Sequence, residues 1–369
     1  MAEAHVRTKA MKIVMLAPAS VIHTQRWAEA LAARGVEVIL ATQHGDASWH
    51  APVGVRLVQL PYEGAVGYFR NVPALRRLLL AEQPALLHAH YASGYGTTAA
   101  LAGFHPWLMS VWGSDVYDFP YESRLKGWLL RCNLRKADAI ASTSQAMARQ
   151  VRQLLPGYGD VAVTPFGIDT LRFTPQPQAH EGVVIGTVKT LAPKYGIDVL
   201  LRAFALLVAE RRPELSLVIV GGGPQRAELE ALAATLGIAA QVRFVGPVPH
   251  AEVPQWLNRL DIYVAVSRLD SESFGVAVLE ASACGLPVVV SDAGGLPEVV
   301  VNGETGLVVS RDDHKALALA LAQLVESSAL RRRLGTTGRR RVIERYEWRL
   351  SVDAMLRSME QVAGYEDAR

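Results

Sequence analysis

SRLDSESFGVAVLEASACGLPVVVSDAGGLPEVV, residues 267–300, carries two glutamates, Glu272 and Glu280, with seven small or apolar residues between them. The preceding run DIYVAVS (261–267) reads as a buried strand and RLDSES as a polar loop at its carboxyl end. FGVAVLEASAC then reads as a helix closed by Gly285, a favoured residue just past a helix end, with Pro287 beyond it. This helix is apolar on nearly every face and is predicted to be buried. Glu280 must then have a hydrogen-bond donor, because an unpaired buried carboxylate is costly. Glu272 instead lies in the loop at the helix start, where the N–H groups around Phe274 and Gly275 form an anion site. Gly275 lets a ligand come close. The plainer alternative is that Glu280 pairs with an internal Arg or Lys and Glu272 is a solvated loop residue. A second loop, SDAGGLPE, follows the strand LPVVVSD (286–292), with Gly294 and Gly295 leading into a helix that has Pro297 at its start.

Outward from this stretch the same strand–loop–helix unit repeats. Towards the N-terminus lie VRFVG (242–246), LSLVIVGGG (215–223), a helix from about 196 to 211, and GVVIGTV (182–188). GTVKTLAPKYGID places Lys189 and Lys194 just after that first strand. Two anion-type helix starts, two lysines and a glutamate at strand ends suggest a diphosphate and a polyhydroxyl group. Upstream, VTPFGIDTLRFTPQPQAHEG (163–182) breaks the alternation with three prolines and reads as a linker. Before it come KIVMLA (12–17), VEVILAT (36–42), VRLVQL (55–60), ALLHAH (85–90), WLMSVW (107–112) and ADAIAST (137–143), separated by amphipathic stretches. Nearly continuous apolar strands alternating with helices indicate parallel sheets covered on both faces. The expected architecture is α/β, two Rossmann-like doubly wound domains facing an inter-domain cleft where the ligand binds. The expected division is a tail at 1–10, a first domain at 11–170, a linker at 171–181 and a second domain at 182–346. A C-terminal helix at 347–369 is expected to cross back to the first domain.

Composition agrees with a two-domain globular chain: 369 residues, half of them apolar and a fifth charged. No apolar run reaches the roughly 18–20 residues needed to span a bilayer, and no signal peptide is read at the start. The two cysteines, Cys132 and Cys284, have neither metal-type spacing nor a disulfide pattern, so a reduced, cytoplasmic setting is expected. The net charge of +3 is uneven: residues 1–170 hold 16 Lys and Arg against 12 Asp and Glu. Much of the excess lies in SRLKGWLLRCNLRK (Ser123–Lys136), with five basic residues and no acidic one. The preferred reading is an amphipathic helix on the first sheet with a solvated basic face. The other reading is a surface for anionic lipid, peripheral at the inner face of the plasma membrane. RRRLGTTGRRRVIERY (331–346) lacks stacking aromatics and reads as a solvated helix face rather than a nucleic-acid site.

The segment SESFGVAVLEASACGLPVVVSDAGGLPEVV resembles the E-x7-E signature of retaining GT-B glycosyltransferases, in particular family 4. TPFGID (164–169), KTLAPKYGID (189–198), VIVGGGP (218–224), VRFVGPV (242–248), DIYVAVS and RYEW (345–348) follow in the family's order. The resemblance spans nearly the whole chain and is loosest in its first half. It implies that Glu280 hydrogen-bonds the ribose hydroxyls of a nucleotide and that Glu272 binds hydroxyls of the donor sugar. Lys189 and Lys194 would hold the diphosphate, and Phe274 and Gly275 would donate backbone N–H groups. Ser273, Gly222, Gly223 and Val248 fall on the donor side. Gly222 and Gly223 lie in a GGGP loop that lacks the third glycine of a dinucleotide fingerprint, position 226 being Arg. That loop is read as a tight turn or a wall near the base.

The acceptor half departs from the family pattern. In place of a Gly-Gly loop after the first strand stands APASVIHTQRW, where His23 and Thr24 line the acceptor side or Thr24 serves as a helix N-cap. Trp112 stands where the family places a His near the reacting carbon. Asp115 takes over a polar role there, or Trp112 stacks on a sugar. His88 and His90 share one face of their strand. His90 is read as a cleft contact and His88 as a core histidine. No third ligand accompanies them, and Asp-x-Asp is absent from the chain, so no metal is expected. The implied function is retaining transfer of a sugar from a nucleotide-diphosphate donor, UDP-linked first and GDP-linked second. No cofactor is required beyond that donor, and the acceptor is a glycan, glycolipid or small molecule. The alternatives are a nucleotide-sugar epimerase or phosphorylase on the same scaffold, and a non-catalytic nucleotide-binding module.

Overall fold

The computed structural model describes residues 11–176, 178–210 and 214–364. The leading residues read as a tail lie outside them. Seven strands form the first sheet: β1 (Lys12–Leu16), β2 (Glu37–Thr42), β3 (Val55–Gln59), β4 (Leu86–His90), β5 (Trp107–Val111), β6 (Ala139–Ser142) and β7 (Ala162–Val163). Their order is β3-β2-β1-β4-β5-β6-β7. Six form the second: β8 (Val183–Val188), β9 (Leu215–Val220), β10 (Val242–Gly246), β11 (Ile262–Ala265), β12 (Val288–Ser291) and β13 (Gly306–Val309), in the order β10-β9-β8-β11-β12-β13. Every pairing within the sheets is parallel. Each sheet is the doubly wound, Rossmann-like arrangement that the apolar runs imply, and the two together make the GT-B architecture.

The chain forms two compact units. One runs through Thr164 and resumes at Val352; the other is Pro165–Ser351. The helix Trp348–Ala363 therefore begins in the second unit and ends in the first. Each unit has its own core. The central strands β4 and β5 are buried along their whole length, as a strand sandwiched between helix layers must be. Helix starts are set by side-chain caps: Ser123 and Ser144 each accept a backbone N–H three residues on, and Asp313 accepts two. β7 and β13 are absent from the sequence reading. Both are short edge strands, and β7 has two residues.

Thr174 and Gln176 share one side-chain partner, Asn258. Its amide donates to the Thr174 carbonyl at 3.1 Å and accepts from the Gln176 N–H at 2.6 Å. The arginine run at 331–346 corrects the sequence reading. Arg332, Arg340 and Arg345 are exposed as expected, but three others turn inward onto carbonyls. Arg331 donates to Leu324 (2.6 Å) and Val325 (3.0 Å), ending the preceding helix. Arg339 donates to Phe173 at 3.0 Å and also to Ala283, and Arg341 donates to Glu298 at 3.1 Å. Carbonyls orphaned at helix ends attract these cations, a demand that no local sequence pattern reveals.

The helix Ser328–Arg345 carries Gly335 in its interior, where glycine costs about 1 kcal/mol relative to alanine in an isolated helix. A Cβ there would stand 2.0 Å from the Gly285 carbonyl oxygen, at the end of the helix Val276–Ala283. Close backbone approach therefore outweighs propensity. Gly335→Ala is expected to destabilise the protein by about 1–3 kcal/mol, the range for overpacking. Urea denaturation followed by circular dichroism checks this; an unchanged or higher midpoint would contradict the contact.

Candidate active site

In the second unit β8 and β11 are neighbours, with Ile185 opposite Ile262. The connections leave to opposite sides, towards β9 and β10 on one hand and β12 and β13 on the other. This is the topological switch point, where open parallel sheets bind ligands beyond their carboxyl ends. Lys189, which follows β8, reaches Glu272 in the loop after β11, with Nζ at 2.9 Å from Oε1 and 2.8 Å from Oε2. Ser267 Oγ donates to the same carboxylate at 3.2 Å. Burial disfavours the Lys189 charge, but the attraction of Glu272 outweighs it and holds the ammonium above its ordinary range. The Tyr195 ring lies 4.6 Å from Lys189 Nζ and 5.0 Å from Lys194 Nζ, so one aromatic face gathers both cations. Lys194 is half-buried and has no acidic partner among the described residues.

Two arginines that the sequence reading did not single out hold these loops. Arg268 donates its N–H to the Lys194 carbonyl at 2.7 Å and its guanidinium to Pro193 at 3.1 Å. The same guanidinium forks onto Asp198 at 2.8 and 2.7 Å. Burial pushes the Asp198 carboxyl up, but these bonds bring it below its ordinary value. Arg311 bridges Asp270 (2.9 Å) and Asp292 (3.1 Å), joining the loop after β11 to the loop after β12.

Gly294 and Gly295 do not form the second anion site. Their N–H groups donate to Asp270 Oδ1 and the Glu272 carbonyl, both at 3.0 Å. A Cβ at Gly295 would stand 2.1 Å from the Ser273 carbonyl. The pair is a pedestal on which the Glu272–Phe274 backbone rests. The helix start above it differs. Gly275 has φ of +97°, and the N–H groups of Phe274 and Gly275 have no acceptor among the described residues. The Phe274 ring packs between Phe166 and Tyr346, and Ser273 is buried beside it. The GGGP loop is likewise a backbone contact: a Cβ at Gly221 would stand 1.9 Å from the Lys189 carbonyl, and the Gly222 carbonyl accepts from the Leu191 N–H at 2.9 Å. Gly222 and Gly223 thus brace the strand end that presents Lys189.

Glu280 is 5 % exposed, and its partner is neither Arg nor Lys. Oε1 accepts from His250 Nε2 at 2.8 Å, while Oε2 has no partner among the described residues. His250 follows Val248 and Pro249 in the turn after β10. The sequence reading missed it because the link spans two loops distant in the chain. Beneath both glutamates Tyr263 is fully buried; burial first, then the nearby carboxylates, push its phenol up to about 12 against the opposing Lys189 charge.

In the first unit the strand ends gather aromatic side chains. The His90 ring lies 4.4 Å from His88 and 4.5 Å from Trp112, and the His23 ring is 6.2 Å from Trp112. His88 and His90 are fully buried. His88 Nε2 shares a 2.8 Å hydrogen bond with Ser110, whereas both His90 nitrogens lack a partner among the described residues. Burial drives the His88 imidazole down to about 3, and burial with the neighbouring His88 drives His90 well below its usual value. Thr24 is the third residue of the helix Ile22–Ala33, whose cap is Val21, so it is not an N-cap; its hydroxyl is buried. Asp115 accepts from the N–H groups of Ala92 (2.8 Å), Gly113 (2.8 Å) and Trp112 (3.1 Å). Its oxygens serve the backbone of two loops.

Among the described residues, no group of three His, Cys, Asp or Glu is arranged to hold a metal ion. A cavity of about 920 Å³ in the second unit lies around Ser216, Arg243 and Trp256 and includes none of the residues expected on the donor side. It is a groove at the starts of the strands, away from the strand ends where Lys189, Lys194 and Glu272 converge.

Comparison with known proteins identifies the family of the chain. Residues 171–341 match the family described as glycosyl transferases group 1, and residues 12–144 match glycosyl transferase 4-like. A GDP-mannose-dependent alpha-(1-6)-phosphatidylinositol monomannoside mannosyltransferase of Mycolicibacterium smegmatis is 35 % identical over 69 % of this chain and 70 % of its own. A phosphatidyl-myo-inositol mannosyltransferase of the same organism is 30 % identical over 93 % and 90 %. The sucrose-phosphate synthase of Thermosynechococcus elongatus shares the fold with a TM-score of 0.82, at 24 % identity over 96 % of this chain and 99 % of its own.

The buried histidines make acid stability a direct test of the first unit. An unfolded histidine takes its proton near 6.5, whereas folded His88 resists protonation to about 3. Between these values the unfolded chain binds more protons, so stability is complete above 6.5 and falls as the pH drops. His88 alone is expected to remove roughly 1.4 kcal/mol per pH unit below 6.5. Urea midpoints between pH 7 and pH 5 should fall in the wild type and fall less steeply in His88→Gln; equal slopes would contradict the burial.

Proposed function

Because the chain belongs to the glycosyl transferases group 1 family and is a glycosyltransferase, we propose that it moves a sugar, with retention, from a nucleotide-diphosphate donor to a glycolipid hydroxyl. The observation that carries this reading is the Lys189–Glu272 pair at the switch point with Lys194 beside it. Lys189 is committed to orienting Glu272, which would receive hydroxyls of the donor sugar. Lys194, free of any acid among the described residues, and the N–H groups of Phe274 and Gly275 would face the diphosphate. That group gains negative charge as the glycosidic bond breaks, so prepositioned cations and N–H groups favour the transition state over the ground state. Glu280 would accept from the ribose hydroxyls. The acceptor hydroxyl would attack the oxocarbenium-like carbon on the face the leaving group departs from, with a leaving phosphate oxygen taking its proton. No protein nucleophile is needed. The relatives named above are transferases, and one carries GDP-mannose in its name, which moves a GDP-sugar ahead of the UDP-sugar expected from the sequence.

Glu272→Ala and Lys194→Ala are each expected to lower turnover of GDP-mannose at least about 100-fold, the scale for losing one group that stabilises developing charge, with the fold retained. GDP at about 100 times its Kd should stabilise the wild type by roughly 2.7 kcal/mol, and UDP, ADP, dTDP and NAD by less. Normal turnover in either folded variant would sink the site assignment; stabilisation by UDP in preference to GDP would return the donor to a UDP-sugar.

A glycolipid acceptor requires access to a membrane surface, and no described helix is long and apolar enough to cross one. The helix Arg124–Lys136 buries Gly127, Leu130, Asn133 and Leu134, and Asn133 Nδ2 donates to the Ala92 carbonyl at 2.9 Å. The preferred reading of this helix, packed on its own unit, is thus met on one face. The other face leaves Leu125 71 % and Trp128 57 % exposed, with Tyr121 just before it 66 % exposed and Arg124 and Arg135 alongside. Aromatic and aliphatic side chains among cations suit the interface of an anionic bilayer. Binding to vesicles containing phosphatidylglycerol should weaken as salt rises and should fall in Trp128→Ser; equal partitioning onto neutral and anionic vesicles would remove the membrane reading.

A further inference from the structure

Glu280 and His250 form a contact that the donor-site reading does not use. Glu280 sits on the helix Val276–Ala283, and His250 stands in the turn His250–Glu252, joined by the 2.8 Å bond from Nε2 to Oε1. The carboxylate side chain is 6 % exposed and the imidazole 32 %. His250 is itself held from two sides: its carbonyl accepts from Arg172 at 2.6 Å, and its ring lies 5.8 Å from the Phe173 ring. Pro247 and Pro249 restrict the backbone that leads into it.

A carboxylate offers about four acceptor positions, and a nearly buried one with a single donor is under-satisfied. Glu280 has one donor among the described residues, and it engages Oε1 alone. The plane of the carboxylate is thereby set, and Oε2 keeps its capacity. A ribose diol carries two adjacent O–H donors, and a carboxylate can accept both only when its plane is fixed in the right orientation. Without His250, Glu280 could rotate about its last side-chain bond, and the buried oxygen would lose its donor.

We propose that His250 is the positioning residue that makes Glu280 discriminate a ribonucleoside diphosphate from its 2′-deoxy counterpart. The proposal rests on the reading of Glu280 as the ribose contact. It assigns to His250 no contact with the reacting atoms, only the orientation of the group that reads the sugar of the nucleotide.

The test is titration calorimetry of GDP and UDP and their 2′-deoxy forms with the wild type and with His250→Ala, His250→Gln and Glu280→Ala. The wild type is expected to prefer the ribo form of its nucleotide at least about 10-fold, the size of one lost hydrogen bond to a charged group. His250→Ala should collapse that ratio several-fold, and His250→Gln, which keeps an N–H donor, should restore most of it. A ratio unchanged in folded His250→Ala, or equal losses for ribo and deoxy forms, would overturn the role of His250. A ratio lost in Glu280→Ala but kept in His250→Ala would overturn the inference and leave the donor site standing. A ratio unchanged in Glu280→Ala, or no binding of any nucleotide by the wild type, would overturn the ribose reading and the inference with it.

Discussion

The second unit is organised around housing two carboxylates, Glu272 and Glu280, almost out of water at the ends of β8 and β11. Removing a carboxylate from water costs several kcal/mol unless donors replace the solvent. Glu272 is met by a bidentate lysine and a serine, Glu280 by one histidine edge. Such buried pairs seldom add net stability, since apolar residues of similar size often do as well. What the arrangement secures is orientation. Lys189 cannot leave Glu272 without stranding a charge, so the Glu272 carboxylate is aimed before any ligand arrives.

Orientation at the tip of a loop is useful only if the loop is stiff, and here stiffness comes from backbone contact. Gly294 and Gly295 lie against the carbonyls of Glu272 and Ser273, and Gly221 lies against that of Lys189, at separations no side chain would permit. Arg268 and Arg311 then bind loops that are remote in sequence, one to the Lys194 turn and the other across Asp270 and Asp292. The glycines that look from the sequence like phosphate cradles are thus mostly contacts between loops. At these two helix starts, the backbone donors left for an anion among the described residues are those of Phe274 and Gly275.

How much of this was legible follows from the range of each signal. The strands of both sheets declare themselves by apolar runs, because a strand buried on both faces has no polar face to interrupt it. Glu272, Glu280, Lys189 and Lys194 stand out in the sequence because strand-end loops and a helix start are local features. His250, Arg268, Arg311 and Arg339 were not, since their partners lie tens of residues away or more and only the folded chain joins them. β13 escaped because a four-residue edge strand carries too short a run, and the arginine run misled because charge alone does not say which cations meet orphaned carbonyls.

Three carboxylates are buried at strand ends, and their hydrogen bonding separates their uses more sharply than their burial does. Asp115 receives three backbone N–H groups and is spent on holding two loops in place. Its carboxyl is nonetheless pushed up by burial, so a shifted titration does not by itself mark a functional group. Glu272 is turned by a cation, and Glu280 is touched at one oxygen, which leaves the latter with capacity that nothing among the described residues fills. A residue saturated by its own backbone has little left to offer a ligand; one that is desolvated, oriented and unsaturated can gain free energy when donors arrive. By that criterion Asp115 is occupied by the backbone it holds, and the unsaturated carboxylate is the one on the helix whose sequence first set the two glutamates apart.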